Sequence, residues 1–255
     1  MPKSNILFFT SFSARSIQIE SIVLYFKKKG YNVFFLTTCE KGAIHEKLEK
    51  NDVQIVTRKS LRGGVIQYLI WARFLIKFCK QNNIHFVHSH LQIPNFISSI
   101  ACRFIESIVF NVRHNSDVIL LNGNKKEKIM EKMINVLSKH IIAISDKVKQ
   151  QLVDVEHVKQ NKIYRINNGY NFSQYQELSL SENEYIQIKN SYKAQHLIVS
   201  PGRLIETKRH EIAINGVKQL VEKGINVKLI ILGEGPLESK LHELIEQVQL
   251  QNNVF

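Results

Sequence analysis

Three groups of residues in this 255-residue chain have the types and spacing to do chemistry. The first is Gly202-Arg203-Leu204 with Lys208. An apolar run from His196 to Val199 precedes it, Pro201 and Gly202 punctuate, and Ile212, Val217, Leu220 and Val221 then fall on one side of a helical pattern. Gly202, Arg203 and Lys208 are therefore expected between the end of a strand and the start of a helix. Free backbone N–H groups and the positive end of the helix dipole suit that place to an anion. Gly202 lets the backbone come close, Arg203 can hold phosphate oxygens bidentately, and Lys208 adds a compact charge. The alternative is an ordinary strand-to-helix turn with solvated basic residues. The second group is Gly233-Glu234-Gly235-Pro236, a tight loop after an apolar run, with Pro236 near the first helical position. The third is His85, His88 and His90, of which His88 and His90 share one face of a strand. Zinc would need four ligands, and no carboxylate or thiol stands nearby in sequence to complete the set.

Strands and helices must position these groups, and they alternate along the chain. Apolar runs predict strands at Asn5–Thr10, Asn32–Thr37, Val53–Val56, Ile84–His88, Ile108–Val112, Ile141–Ile144 and Lys162–Ile166. Between them fall helical patterns. Ser13 is expected to cap the first, which ends at Lys27-Lys28-Lys29-Gly30. Others are expected at 43–50, from Gly63-Gly64 through Phe78, at Phe96–Phe104, at 125–138, and from Ser145-Asp146 through Leu152. This order predicts an α/β doubly wound parallel sheet over residues 1–172. Asn167-Asn168-Gly169-Tyr170 is a turn, and residues 173–195 read as a linker or excursion. A second series starts at 196: strand, Pro-Gly-Arg loop, helix, strand Asn226–Leu232, loop, helix. Asn252-Asn253-Val254-Phe255 reads as the entry to another strand.

Composition bounds the class. Hydrophobic residues make up 44% and charged residues 22%, as in a soluble globular protein. Cys39, Cys79 and Cys102 are far apart, which argues for reduced thiols in a cytosolic setting. No signal peptide or membrane-spanning run is visible. The net charge is +13, of which residues 1–172 carry +14 and residues 173–255 carry −1. A basic first part and a neutral second part imply separate domains with separate partners. The basic part could face an anionic lipid surface or a phosphorylated substrate. Nucleic acid is not expected, because the basic residues are not interleaved with aromatics on a recognisable module.

Gly202-Arg203-Leu204, Lys208, the strand ending in Gly233-Glu234-Gly235-Pro236, and the helix leading to Asn253-Val254-Phe255 together resemble the opening of the C-terminal domain of family-4 glycosyltransferases. Ile84-His85-Phe86-Val87-His88-Ser89-His90, Asn111-Val112-Arg113-His114, Ile142-Ala143-Ile144-Ser145 and Ile166-Asn167-Asn168-Gly169-Tyr170 resemble stretches of that family's first domain. The resemblance spans nearly all the chain. It implies a retaining enzyme of the GT-B fold, with two Rossmann-like domains. Residues 1–172 would be the acceptor-side domain and residues 196–255 the start of the nucleotide-sugar-binding domain.

By that resemblance Arg203 and Lys208, with Gly202, would bind the diphosphate of a UDP- or GDP-linked sugar donor, a co-substrate in the absence of any cofactor. Gly233 and Gly235 would let the backbone approach the nucleotide. His114 would be the active-site histidine near the transferred sugar, and His90 would line the acceptor side. Where family members carry a glycine pair after the first strand, this chain has Thr10-Ser11-Phe12-Ser13-Ala14-Arg15. Ser11 and Ser13 are expected to donate hydrogen bonds there, and Arg15 to face the acceptor. The chain lacks an Asp-x-Asp pair, so no metal is expected. The family's paired acidic motif would lie beyond Phe255, which predicts a truncated chain with weak donor binding. The implied acceptor is lipid-linked or a polysaccharide, handled in the cytoplasm or on the inner face of the cytoplasmic membrane. Lys27-Lys28-Lys29 and Lys125-Lys126-Lys128 are candidate lipid-facing clusters. Two other readings stand beside this one: a sugar-nucleotide epimerase of similar architecture, and a non-catalytic fragment that binds a nucleotide or a partner.

Overall fold

The structure, a computed structural model, describes residues 4–58, 64–114, 118–173 and 180–255. Residues 1–3, Gly63 of the expected helix start, and 174–179 of the expected linker lie outside the described residues. The chain divides into two compact units, Met1–Phe172 and Ser173–Phe255.

The first unit is built on seven parallel strands: β1 (Asn5–Thr10), β2 (Asn32–Thr37), β3 (Gln54–Thr57), β4 (Ile84–His90), β5 (Ile108–Arg113), β6 (His140–Ala143) and β7 (Ile163–Arg165), in the order β3-β2-β1-β4-β5-β6-β7. The connecting helices are α1 (Ile17–Lys28), α2 (Ala43–Glu49), α3 (Val65–Gln81), α4 (Gln92–Ala101), α5 (Val118–Asn122), α6 (Lys125–Leu137) and α7 (Asp146–Gln150), which runs on into a π-turn at Gln151–Val155. β1 shows why the sheet needs cover on both faces. Alternate side chains point to opposite sides, and all are apolar from Ile6 to Phe9. Leu7 and Phe9 pack with Trp71, Leu75 and Ile97 under α3 and α4. Ile6 and Phe8 pack with Ile19, Val23, Ile44 and Leu48 under α1 and α2.

Three local differences from the expectation have physical causes. Ser13 does not cap α1; Ser16 holds the N-cap position with an extended backbone, and its N–H is taken by Glu20 Oε1 at 3.0 Å. Ser13 instead accepts a hydrogen bond from Ile44 N through its carbonyl, at 3.2 Å. β4 runs two residues past His88, and α4 starts at Gln92 because Pro94 sits in its first turn, where the missing N–H costs nothing. Residues 182–191, within the expected linker, form a helix, α8 (Glu182–Ser191), closed by a reciprocal Ser181–Glu184 capping box.

The second unit pairs β8 (His196–Pro201) with β9 (Val227–Leu232) in parallel. A 3₁₀ turn at Glu206–Lys208 leads into α9 (His210–Glu222), and α10 (Glu238–Gln247) follows β9. Leu204, Ile214, Val217, Leu229, Leu241 and Val254 share its core, and Val254 forms a parallel bridge with Leu229.

Candidate functional site

In the first unit the chain order reverses at β1. The path runs outward from β1 through β2 to β3, then crosses back to β4 on the other side. Sheets of this kind leave a crevice at the carboxyl ends of the strands at such a switch. Thr10 ends β1 and Ser11 follows it, His90 ends β4, and His114 follows β5. The parallel register brings the histidines of two strands into one row. His88 Nδ1 lies 2.7 Å from His90 Nε2, and His90 Nδ1 lies 2.9 Å from His114 Nε2. Phe8 covers the row, with ring centroids 5.2 Å from His88 and 6.4 Å from His90.

Burial disfavours the charged form of each ring. His88 is pulled down to about 4 by burial and then by the charge of His114. His90 is held well below the ordinary imidazole range by burial, then by His88 and His114. His114 is lowered by burial alone and remains partly exposed. His90 was expected to line the acceptor side, but it is only 1% exposed and both its nitrogens meet other histidines. It supports His114 and offers no nitrogen to an acceptor. His85 belongs to the far end of β4, where its Nδ1 accepts from Asn5 N at 3.1 Å. Among the described residues no group of three or more His, Cys, Asp and Glu could hold a metal ion.

The loop after β1 is held from two sides. Glu20, 1% exposed, binds Arg15 bidentately at 2.6 and 2.7 Å, so the guanidinium expected to face an acceptor is engaged within its own loop, with half the side chain open to solvent. Gly42 packs on Ser13: a Cβ there would lie 2.7 Å from Ser13 O and 2.8 Å from Ser13 Cβ. Gly42 N in turn donates to His45 Nδ1 at 2.9 Å, and His45 Nε2 donates to Thr37 Oγ1 at 2.9 Å. His45 is fully buried, and burial lowers its basicity. Below His114, Arg113 is buried between Glu131 and Glu156; Nη1 binds Glu131 and Nη2 binds Glu156 at 2.7 Å. Burial raises the Glu131 carboxyl more than the Arg113 charge lowers it. This ion-pair cluster ties the end of β5 to α6 and to the π-turn.

In the second unit Gly202, Arg203 and Lys208 follow β8 directly. Leu204 points into the core, 5% exposed, while Arg203 and Lys208 are exposed. Neither cation's side chain makes a hydrogen bond or ion pair among the described residues. The two loops of this unit are zipped together: Gly202 N donates to Leu232 O at 2.8 Å, Leu204 N to Glu234 O at 2.9 Å, and Leu237 N to Leu204 O at 3.1 Å. A Cβ at Gly233 would lie 2.8 Å from Gly202 C and overlap its oxygen; one at Gly235 would lie 2.5 Å from Leu204 O. Both glycines pack against the Arg203 loop with no room for a side chain; the approach to a nucleotide that the family resemblance implies for them is a separate expectation. Gly202 has a Cβ position 3.5 Å from the Lys208 stem, so that stem lies along the glycine. His210, 3% exposed, bridges Ser200 Oγ at 3.1 Å and Arg203 O at 3.3 Å. Arg209, left-handed at φ 55°, holds the N-cap of α9 without a side-chain cap bond.

Sequence reasoning missed Glu20, Gly42, His45 and His210 as the residues that hold these loops. Only His210 carried a local signal, as the residue after Arg209 at the start of a helical pattern.

A doubly wound parallel sheet with an imidazole row at the carboxyl ends of its strands, followed by a strand-loop-helix unit with exposed Arg203 and Lys208, defines a doubly wound class of α/β protein. Residues 16–174 match the model of Glycosyltransferase Family 4, and residues 181–255 match that of Glycosyl transferases group 1. The chain belongs to glycosyltransferase family 4. It is 33% identical over 160 residues to an uncharacterized glycosyltransferase of Methanocaldococcus jannaschii, MJ1059, covering 58% of this chain and 39% of that protein. It is 26% identical over 181 residues to an N-acetylgalactosamine-N,N'-diacetylbacillosaminyl-diphospho-undecaprenol 4-alpha-N-acetylgalactosaminyltransferase of Campylobacter jejuni, covering 70% of this chain and 47% of that protein. The chain thus spans less than half the length of these curated relatives. Its fold superimposes on the crystal structure of Anabaena Alr3699/HepE in complex with UDP and glucose, with a TM-score of 0.78 at 14% identity, over 99% of this chain and 68% of that one. The GT-B fold expected from the sequence is the fold of these neighbours.

Proposed function

We propose that this chain forms part of a retaining, nucleotide-sugar-dependent glycosyltransferase that moves a hexose-type sugar from a UDP- or GDP-linked donor to a lipid-linked or polysaccharide acceptor. The carrying observation is the pair Arg203 and Lys208, exposed and unpaired on a loop that Gly233, Gly235 and His210 hold in place. When a glycosidic bond to a nucleoside diphosphate breaks, negative charge grows on the departing phosphate. Two fixed cations stabilise that charge more than the ground state, and this needs no metal ion. Among the described residues His114 keeps one imidazole nitrogen, Nδ1, without a partner beside the strand ends, suited to a hydroxyl of the sugar or the acceptor. In this reading residues 1–172 serve the acceptor and residues 196–255 serve the donor. The UDP-bound neighbour supports the donor class, and the Campylobacter relative's name supports a diphosphate-linked lipid acceptor.

The charge balance extends the reading to an anionic surface. The first unit carries +14, and no helix among the described residues is long and apolar enough to cross a membrane. Of the candidate clusters, Lys27 is partly spent on Asp52 O, and Lys125, Lys126 and Lys128 are exposed or partly exposed on α6. Vesicles with anionic lipid are expected to retain the chain in low salt and release it in high salt. Equal retention by neutral vesicles overturns this part.

The donor reading is tested by calorimetric titration of UDP and GDP into the chain. One of them is expected to bind, and Arg203→Ala or Lys208→Ala to weaken that binding by about tenfold or more, the value of a charge-assisted hydrogen bond. Binding that is unchanged in the double variant, or binding of neither nucleotide, refutes the assignment.

A further inference from the structure

A neutral imidazole carries one N–H and one lone pair. Both contacts of the histidine row join Nδ1 of one ring to Nε2 of the next: His88 to His90 at 2.7 Å and His90 to His114 at 2.9 Å. If His90 carries its proton on Nδ1, it donates to His114 Nε2, and its own Nε2 must accept from His88 Nδ1. All three rings are then Nδ1–H. If His90 carries its proton on Nε2, the same reasoning makes all three Nε2–H. Any mixed arrangement sets two N–H groups, or two lone pairs, face to face in a contact largely withdrawn from water.

We propose that His88, His90 and His114 form a single tautomeric unit, in which His88 and His90 are positioning residues that make the protonation of His114 Nδ1 all-or-none across the three rings. His114 Nε2 is occupied by His90, so Nδ1 is the nitrogen left for a ligand; among the described residues it makes no hydrogen bond. A ligand oxygen that only accepts there, such as a phosphate or sugar ring oxygen, selects the all-Nδ1–H form. A hydroxyl that donates there selects the all-Nε2–H form. His88, two strand residues and one strand away, changes tautomer with it. The inference rests on reading His114 as the group that meets a ligand.

The experiment uses the full chain with ¹⁵N-labelled histidine at pH 7.5 and no nucleotide. Long-range proton–nitrogen correlation spectra report which nitrogen of each ring is protonated. The three rings are expected to show one common Nδ1-protonated fraction, with nitrogen–nitrogen couplings across both hydrogen bonds. Different fractions in any two of the three rings overturn the proposal. A second readout is the variant His88→Phe, which does not touch His114. It removes the partner of His90 Nε2, and a buried N–H facing a phenyl ring would be an orphaned donor. His90 then keeps its proton on Nδ1, and His114 is expected as Nδ1–H over Nε2–H by about ten to one or more. A merely structural role would change stability and leave this ratio alone. A comparable population of His114 Nε2–H in the folded variant overturns the coupling. Neither readout involves a donor, so failure here leaves the nucleotide assignment standing, and failure of nucleotide binding leaves the coupled row standing.

Discussion

Acidification should destabilise the first unit through its buried imidazoles. His88 is held at about 4 in the folded chain against an ordinary 6.5. Between those values the unfolded chain binds a proton that the folded chain refuses. The contribution is therefore full above the unfolded value and is lost as the pH falls toward the folded one. That gap corresponds to roughly 3 kcal/mol for His88 alone, at about 1.4 kcal/mol for each pH unit. His90, His114 and His45 are lowered too, mainly by burial, and act with the same sign. Glu131 acts oppositely: burial raises its carboxyl, so its contribution is present at low pH and lost as the pH rises. Trp71 is the only tryptophan, 3% exposed in the core of the first unit, so its fluorescence follows that unit's unfolding. Urea titrations of the wild type from pH 7.5 to 4.5 should lose roughly 3 kcal/mol or more, a large share of the about 5–15 kcal/mol typical of a domain. In His88→Phe the curve should start lower at pH 7.5, because His90 loses a partner, and fall less steeply by about the His88 step. Parallel curves for the two chains would refute the burial argument.

Two further substitutions test the framework that holds the site. Gly233→Ala forces a methyl group into the Gly202 carbonyl, 2.8 Å from its carbon, and should cost the second unit about 1–3 kcal/mol in thermal unfolding; Gly169→Ala, with nothing within 4 Å, should change little. Arg113→Met leaves Glu131 and Glu156, 3% and 5% exposed, as two uncompensated carboxylates, and should lower the urea stability read at Trp71 by about 3–5 kcal/mol; an effect under about 1 kcal/mol would show that the cluster is hydrated and weak.

Much of the fold was legible because its signals are local. Apolar runs marked every strand of the first sheet, and Gly30, at φ 82°, stopped α1 where a glycine was expected to. The errors arose where local signals compete. Ser13 was expected to cap α1, but it is packed under Gly42, a residue of another loop, and the N-cap position falls to Ser16, whose side chain makes no cap bond. Residues 173–195 read as a linker or excursion, yet Glu182–Ser191 within them form a helix that starts at a capping box.

The site divides in the same way. The residue types at the strand ends, the Gly-Arg-Leu loop with Lys208, and the two-part charge distribution belong to the sequence itself, because each depends on neighbours only a few positions away. The meeting of His90 with His114 spans 24 positions and exists because β4 and β5 pair in one register; a shift of one residue would turn every ring to the other face. The packing of Gly233 and Gly235 is likewise a contact with a loop 31 positions upstream. Which residues could do chemistry is set by composition along the chain. Which of them are buried, neutral and paired is decided by strand pairing and the withdrawal of water, and those exist only in the folded protein.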